Sequence, residues 1–285
     1  MENKLLQPLL PQFNPSSHET NQYKNSKFLI PNNNIVHRLL FFLFVAITSI
    51  WANYEASKTF DIYIVNDTKD SLAGRRFTLF YISNDRAERI LLNTSSFVEQ
   101  ILYPNSINDN IKNKKNIKSV TLRLVRQNLN STTTVIAADD EKNNKNYIIE
   151  ISPMLLEDEN FNKMAIVGEI QRAMARVWLW DGRSKAPSRL LDGMAEYVAE
   201  LAGFRRERLS GGVDELPEPE CGLWWEDKDP THVARLLNYC ENNEKGFIRR
   251  LNEAMRDTWH DRVVDGLLGL NGSKLLCGLY NASSL

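Results

Sequence analysis

Histidine and cysteine are scarce in this 285-residue chain: four histidines and three cysteines. Cys221, Cys240 and Cys277 are too few for a disulfide-built scaffold. No C-x-x-C pair marks a zinc knuckle or a dithiol redox centre. In an oxidising compartment the simplest arithmetic is one bridge and one free thiol, with the pairing open. The 13 glycines are scattered and form no phosphate-cradling loop. Neither sign of charge is in excess. The formal net charge of −1 removes the electrostatic footprint of a nucleic-acid binder. Ser188 and Ser210 have no His and Asp placed to activate them, which sets serine hydrolysis aside. There is no internal repeat. What remains is an ordinary globular composition, 42% hydrophobic and 25% charged, long enough for a sizeable core.

The first 38 residues are rich in Asn, Gln, Ser and Pro and have the composition of a disordered tail. Residues 39–52 then carry no charge and are apolar on every side. A buried core helix, a cleaved signal peptide and a signal anchor all compete for residues 39–55. The all-round apolarity after a polar leader disfavours the first, and the length of the leader favours the anchor over the cleaved signal. Lys24, Lys27 and Arg38 precede the segment, whereas Glu55, Lys58 and Asp61 follow it. The positive-inside bias therefore predicts a single-pass type II membrane protein, held through residues 39–55 with its domain lumenal or extracellular. Secretion after cleavage is the alternative. Sequons at Asn66, Asn93, Asn130, Asn271 and Asn281 are candidate glycosylation sites under that placement.

From residue 56 to 285 the pattern is that of one α+β domain. Alternation and β-branching predict strands at 60–65 and 120–125 and a hairpin of 133–137 with 147–151. Residues 74–84 read as a strand and turn, 86–102 as a helix, and 105–116 as a polar loop. Helical spacing then dominates, at 161–180, 190–202, 231–239, 245–256 and 260–268. Strands first and helices after predict an N-terminal mixed sheet followed by a helical half.

Three stretches in the second half are specific. They are Ala175-Arg-Val-Trp-Leu-Trp-Asp-Gly182, Ala186-Pro-Ser-Arg-Leu-Leu-Asp-Gly-Met-Ala-Glu-Tyr-Val198 and Ala202-Gly-Phe204. With 233–240 and 246–252 they resemble the plant basic secretory proteins, a zinc-peptidase-like family. The resemblance implies a zincin-like fold. It also implies a long helix with H-E-x-x-H ahead of Val-Trp-x-Trp, and a third ligand, Glu, on a second helix. Two His at i and i+4 project from one helix face and offer neutral nitrogens to one Zn²⁺. The Glu beside the first His takes a proton from the metal-bound water.

Aligning Val177-Trp178-Leu179-Trp180 with the family's Val-Trp-x-Trp places Arg172 and Arg176 at the two His positions. Ala173 falls at the catalytic Glu, Asp192 at the third ligand and Glu196 at the Asp that follows it. Arginine stays protonated and has no lone pair to give a metal, and alanine accepts no proton. No His or Cys lies from 161 to 180 under any register. The expectation is a pseudo-protease without zinc and without peptidase activity. Its remnant cleft would take a peptide or protein ligand, and the resemblance implies a defence-related setting. The alternatives are an active metallopeptidase with a non-standard metal site, and a structural membrane-tethered module whose cleft is filled. For the arginines, one reading pairs Arg172 and Arg176 with Asp192 and Glu196 in the former metal cavity. The other turns both into water.

Trp178 and Trp180 are expected at the core and rim of the fold, rather than on a sugar- or peptide-binding surface with Trp224 and Trp225. Residues 213–229 are acidic and read as an exposed loop at the cleft mouth. The basic run 112–118 reads as a solvated loop, since no aromatics interleave with it. Cys240 is expected buried or paired.

Overall fold

The computed structural model describes residues 33–56, 59–104, 114–139, 145–158, 162–206, 225 and 229–268. The tail at 1–32, the sequons Asn271 and Asn281, Cys221, Cys277 and nearly all of the acidic stretch 213–229 lie outside the described residues. Contacts divide the chain into two units, Met1–Glu55 and Ala56–Leu285.

In the first unit, helix α1 (Asn33–Ala56) runs for 24 residues. It starts inside the stretch expected to be a disordered tail, and earlier than residue 39. Described side chains from residue 37 to 50 are exposed on every side of it. Among the described residues no helix is long and apolar enough to cross a membrane. The uncharged run at 39–52 makes up roughly 21 Å of this helix at 1.5 Å per residue. His37 and Arg38 close it off on the N-terminal side.

The second unit is mixed α+β. Strands β1 (Asp61–Asn66), β2 (Ile117–Leu124), β3 (Thr133–Asp139) and β4 (Lys145–Ile151) form one sheet in the order β1-β2-β4-β3. β1 runs parallel to β2, and β2 to β4. β3 returns antiparallel to β4 as the predicted hairpin, pairing Thr133 with Ile151 and Asp139 with Lys145. A parallel pair cannot be joined by a tight turn. The β1-to-β2 connection therefore carries helices α2 (Leu72–Phe77) and α3 (Arg86–Leu102), and the first half is not all strand.

Residues 74–84 are the clearest correction within the domain. They form the end of α2 and a π-helical turn at Thr78–Ile82 instead of a strand. Ser71 caps α2, its Oγ accepting from the Gly74 amide at 2.9 Å. Asn66 Nδ2 donates to Gly74 O and Thr78 Oγ1, tying the helix to the end of β1. The β-branched and aromatic content of 77–82 mimics a strand, yet Phe77 and Tyr81 sit one helical turn apart and stack. Asn66, one of the candidate glycosylation sites, is buried with its Nδ2 making both of these bonds. Asn93 and Asn130 are exposed.

The helical half follows: α4 (Met154–Glu157), α5 (Lys163–Trp178), α6 (Ser188–Leu201), α7 (Pro230–Asn243), α8 (Phe247–Ala254) and α9 (Val263–Leu268). Asn162 caps α5 through the Met164 amide, and Asp229 caps α7 through Thr231, with Pro230 in the first turn. α5 is the central element. It packs on β3 and β4, on α3 and on α6, and is buried over most of its length. Trp178 is fully enclosed, its Nε1 donating to Ser95 Oγ of α3 at 2.9 Å. Gly193 lets α6 meet α7 closely, since a Cβ there would sit 2.3 Å from Val233 Cγ1. Gly182 takes φ +60° beneath Trp259, a left-handed conformation that glycine adopts without strain.

Candidate functional site: an arginine–carboxylate clamp between two helices

α5 and α6 bring together all five positions singled out in the sequence. Arg172, Ala173 and Arg176 of α5 and Asp192 and Glu196 of α6 line one cavity of about 360 Å³. Its third wall is the start of β3 with the residues before it, among them Thr132 and Thr134.

The two arginines differ sharply. Arg172 is buried. Its Nε donates to Glu196 Oε2 at 2.5 Å and its Nη2 to Glu196 Oε1 at 2.9 Å. This is the two-pronged geometry that suits a guanidinium to a carboxylate. Nη2 also donates to the Phe204 carbonyl at 2.7 Å, and Nη1 lies 3.4 Å from Glu169 Oε1. Glu169 in turn accepts from Thr132 Oγ1 at 2.7 Å and from Arg206 Nη2 at 3.1 and 3.2 Å. Two guanidinium groups and two carboxylates thus close into a neutral cluster. Burial pulls the Arg172 pKa down, but the hydrogen bond and charge of Glu196, with the charges of Glu169 and Glu200, outweigh it and raise it above its ordinary value. Arg172 therefore carries a fixed positive charge in the interior.

Arg176 lies one turn on and is held less closely. Its Nε stands 3.5 Å from Asp192 Oδ1, and its Nη1 is buried with no hydrogen-bond partner among the described residues. Its side chain is 29% exposed and that of Asp192 42%. Neither arginine is turned fully into water. The tight pair is Arg172 with Glu196, and the Arg176–Asp192 contact is the loose one.

The side chains at these positions do not fit a zinc ion. Both oxygens of Glu196 are occupied by Arg172, both arginines are protonated, and Ala173 has no donor atom. Asp192 alone is left with an accessible carboxylate. Among the described residues no three His, Cys, Asp or Glu converge where a metal could be held.

Glu169, Arg206, Thr132 and Lys115 were not singled out from the sequence. Glu169 lies three residues before Arg172 on the same helix face, a spacing that could have signalled the contact. Arg206 and Thr132 reach the cluster through tertiary folding, with no local signal. Lys115 sits in the basic run read as a solvated loop, but it is only 4% exposed. Its Nζ donates to the carbonyls of Val177 and Leu179 at 2.8 and 2.7 Å, closing the C-terminal end of α5. That end of a helix carries unpaired carbonyls and partial negative charge, which a buried ammonium satisfies. Lys114 pairs with Glu99 and lies over the Trp178 ring. Trp180 is half-buried at the rim, and Trp225 packs edge-on against Trp259 in the core. Cys240 is a free, buried thiol, pushed up to about 12 by burial.

The domain is mixed α+β, and its candidate site lies where the central helix α5 meets α6. The chain belongs to the BSP family, described as peptidase of plants and bacteria, whose family model matches residues 57–280. Comparison with the curated proteins and with the solved structures gave no match.

Proposed function

We propose that the domain is a non-catalytic member of its family. In this reading an arginine–carboxylate clamp joins α5 to α6 where metal-binding relatives would use zinc. The observation that supports it is the two-pronged Arg172–Glu196 pair. The positive charge a metal would bring is supplied by guanidinium groups; Glu196 is engaged at both oxygens by Arg172, and Asp192, at the third-ligand position, is left with only its loose contact to Arg176. The cavity beside the clamp is then free to hold a peptide or protein ligand, in the defence-related setting that the resemblance implies. Metal analysis of the purified chain, with casein cleavage measured with and without chelator, tests the reading. Substoichiometric zinc and no chelator-sensitive cleavage are expected. One zinc per chain with cleavage that chelator abolishes would overturn it.

The apolar segment at 39–55 is proposed to take the domain to the lumenal or extracellular side. Retained, it leaves the type II form; cleaved, it releases a secreted one. Support comes from the basic residues before it and its exposed apolar side chains. Alkaline carbonate extraction of membranes separates the two forms, and protease protection reports the side. A protease-accessible domain on the cytosolic face refutes the placement.

A further inference from the structure

Among the described residues that line the cavity, Arg176 carries a buried N–H group that no hydrogen bond satisfies. Every nitrogen of Arg172 faces an acceptor, and Glu169 and Glu196 are saturated by arginines and a threonine hydroxyl. Among the described residues, Arg176 has one loose ion-pair neighbour, Asp192, and a buried Nη1 with no partner. A guanidinium group presents a planar fork of donors that matches a carboxylate in two-point contact. Leaving one of its N–H groups buried and unpaired costs free energy that an acceptor would recover.

The surroundings decide the kind of acceptor. Beside Arg176 stands Ala173, whose short side chain leaves space where a longer residue would fill the cavity. Across from it Thr132 and Thr134 bring hydroxyl groups. The lining holds Arg172, Arg176 and Arg206 against Glu169, Asp192 and Glu196, so its formal charge is balanced. A doubly charged phosphate would face three carboxylates without a surplus of cations, whereas a singly charged carboxylate needs only Arg176. The volume, about 360 Å³, is at the small end of the ~300–1,000 Å³ typical of ligand sites.

We propose that this cavity binds a carboxylate through Arg176, as presented by a short peptide C-terminus or a small organic acid. The proposal rests on the non-catalytic reading, since the ligand occupies space that a metal-bound substrate would need.

The test is calorimetric titration of the purified full chain with three probes: N-acetyl-Ala-Ala as the free acid, the same dipeptide as its C-terminal amide, and acetate. The free acid is expected to bind at least about tenfold more tightly than the amide, the usual advantage of a charge-assisted contact. Arg176→Gln should abolish that preference with an unchanged unfolding midpoint. Asp192→Asn, which removes the competing carboxylate, should keep the preference or increase it. Acetate that competes with the dipeptide assigns recognition to the carboxylate alone. Acetate that does not compete, beside acid-selective peptide binding, assigns it to a peptide C-terminus. Equal affinity for acid and amide, binding indifferent to Arg176→Gln, or no binding of any probe at millimolar concentration overturns the proposal. Zinc content and cleavage are measured separately, so this failure would leave the non-catalytic reading standing.

Discussion

Replacing Glu196 with Gln is the sharpest test of the clamp. The side chain is 1% exposed, and both its oxygens accept from Arg172. The amide keeps the shape, removes the charge and turns one acceptor into a donor facing other donors. Breaking one partner of a buried ion pair costs about 3–5 kcal/mol, because the remaining charge stays buried. Arg172 keeps the Phe204 carbonyl at 2.7 Å and Glu169 at 3.4 Å. The lower end, about 3 kcal/mol, is therefore expected. At roughly 2–4 °C per kcal/mol for a domain of this size, the melting temperature should fall by roughly 6–12 °C. Urea unfolding of the single and double variants completes a cycle. The Arg172–Glu196 coupling should exceed about 2 kcal/mol, while the half-exposed Arg176–Asp192 pair should give less than about 1 kcal/mol. Converting both Arg172 and Glu196 to apolar residues of similar volume should cost less than Glu196→Gln alone. A larger coupling for Arg176–Asp192, or a negligible effect of Glu196→Gln, would refute the assignment of the clamp to Arg172.

Lys115→Met leaves the Val177 and Leu179 carbonyls without their buried donor and should cost about 2–3 kcal/mol in urea unfolding; a loss under about 0.5 kcal/mol would return Lys115 to the solvated loop predicted for it. Cys240 should resist iodoacetamide at pH 8 and react once urea unfolds the domain, as peptide mapping by mass spectrometry would show; labelling of the folded protein would contradict its burial. The folded thiol ionises at about 12, against 9.0 for an unburied one, chiefly through burial and then through the charge of Glu241. Its contribution to stability is complete below pH 9 and is lost as pH rises from 9 towards 12, because the unfolded chain gives up the proton first. Tyr81 and Tyr197, raised from 10.0 to about 12 by burial, act in the same direction above pH 10. Stability that rises between pH 9 and 11 would disprove that account.

Local periodicity was enough for the helices at 86–102 and 163–178 and for the hairpin of β3 with β4. Each carries its signal within its own residues, as apolar spacing or as alternation around a polar turn. The identity of the side chains at the motif positions, and hence their poor chemistry as metal donors, was equally plain, because ligand chemistry belongs to the residue itself. Residues 74–84 went wrong because aromatic and β-branched content is shared by strands and buried helices. There the Ser71 cap and the long reach of Asn66 decided the outcome. The order β1-β2-β4-β3, the bond from Arg172 to Glu196 rather than to Asp192, the joining of Arg206 and Thr132 to Glu169, and the burial of Lys115 were decided only by tertiary structure. Each depends on which groups separated by 24 residues or more meet in space. A single charged residue looks the same in sequence whether water or a partner surrounds it; only packing makes that difference.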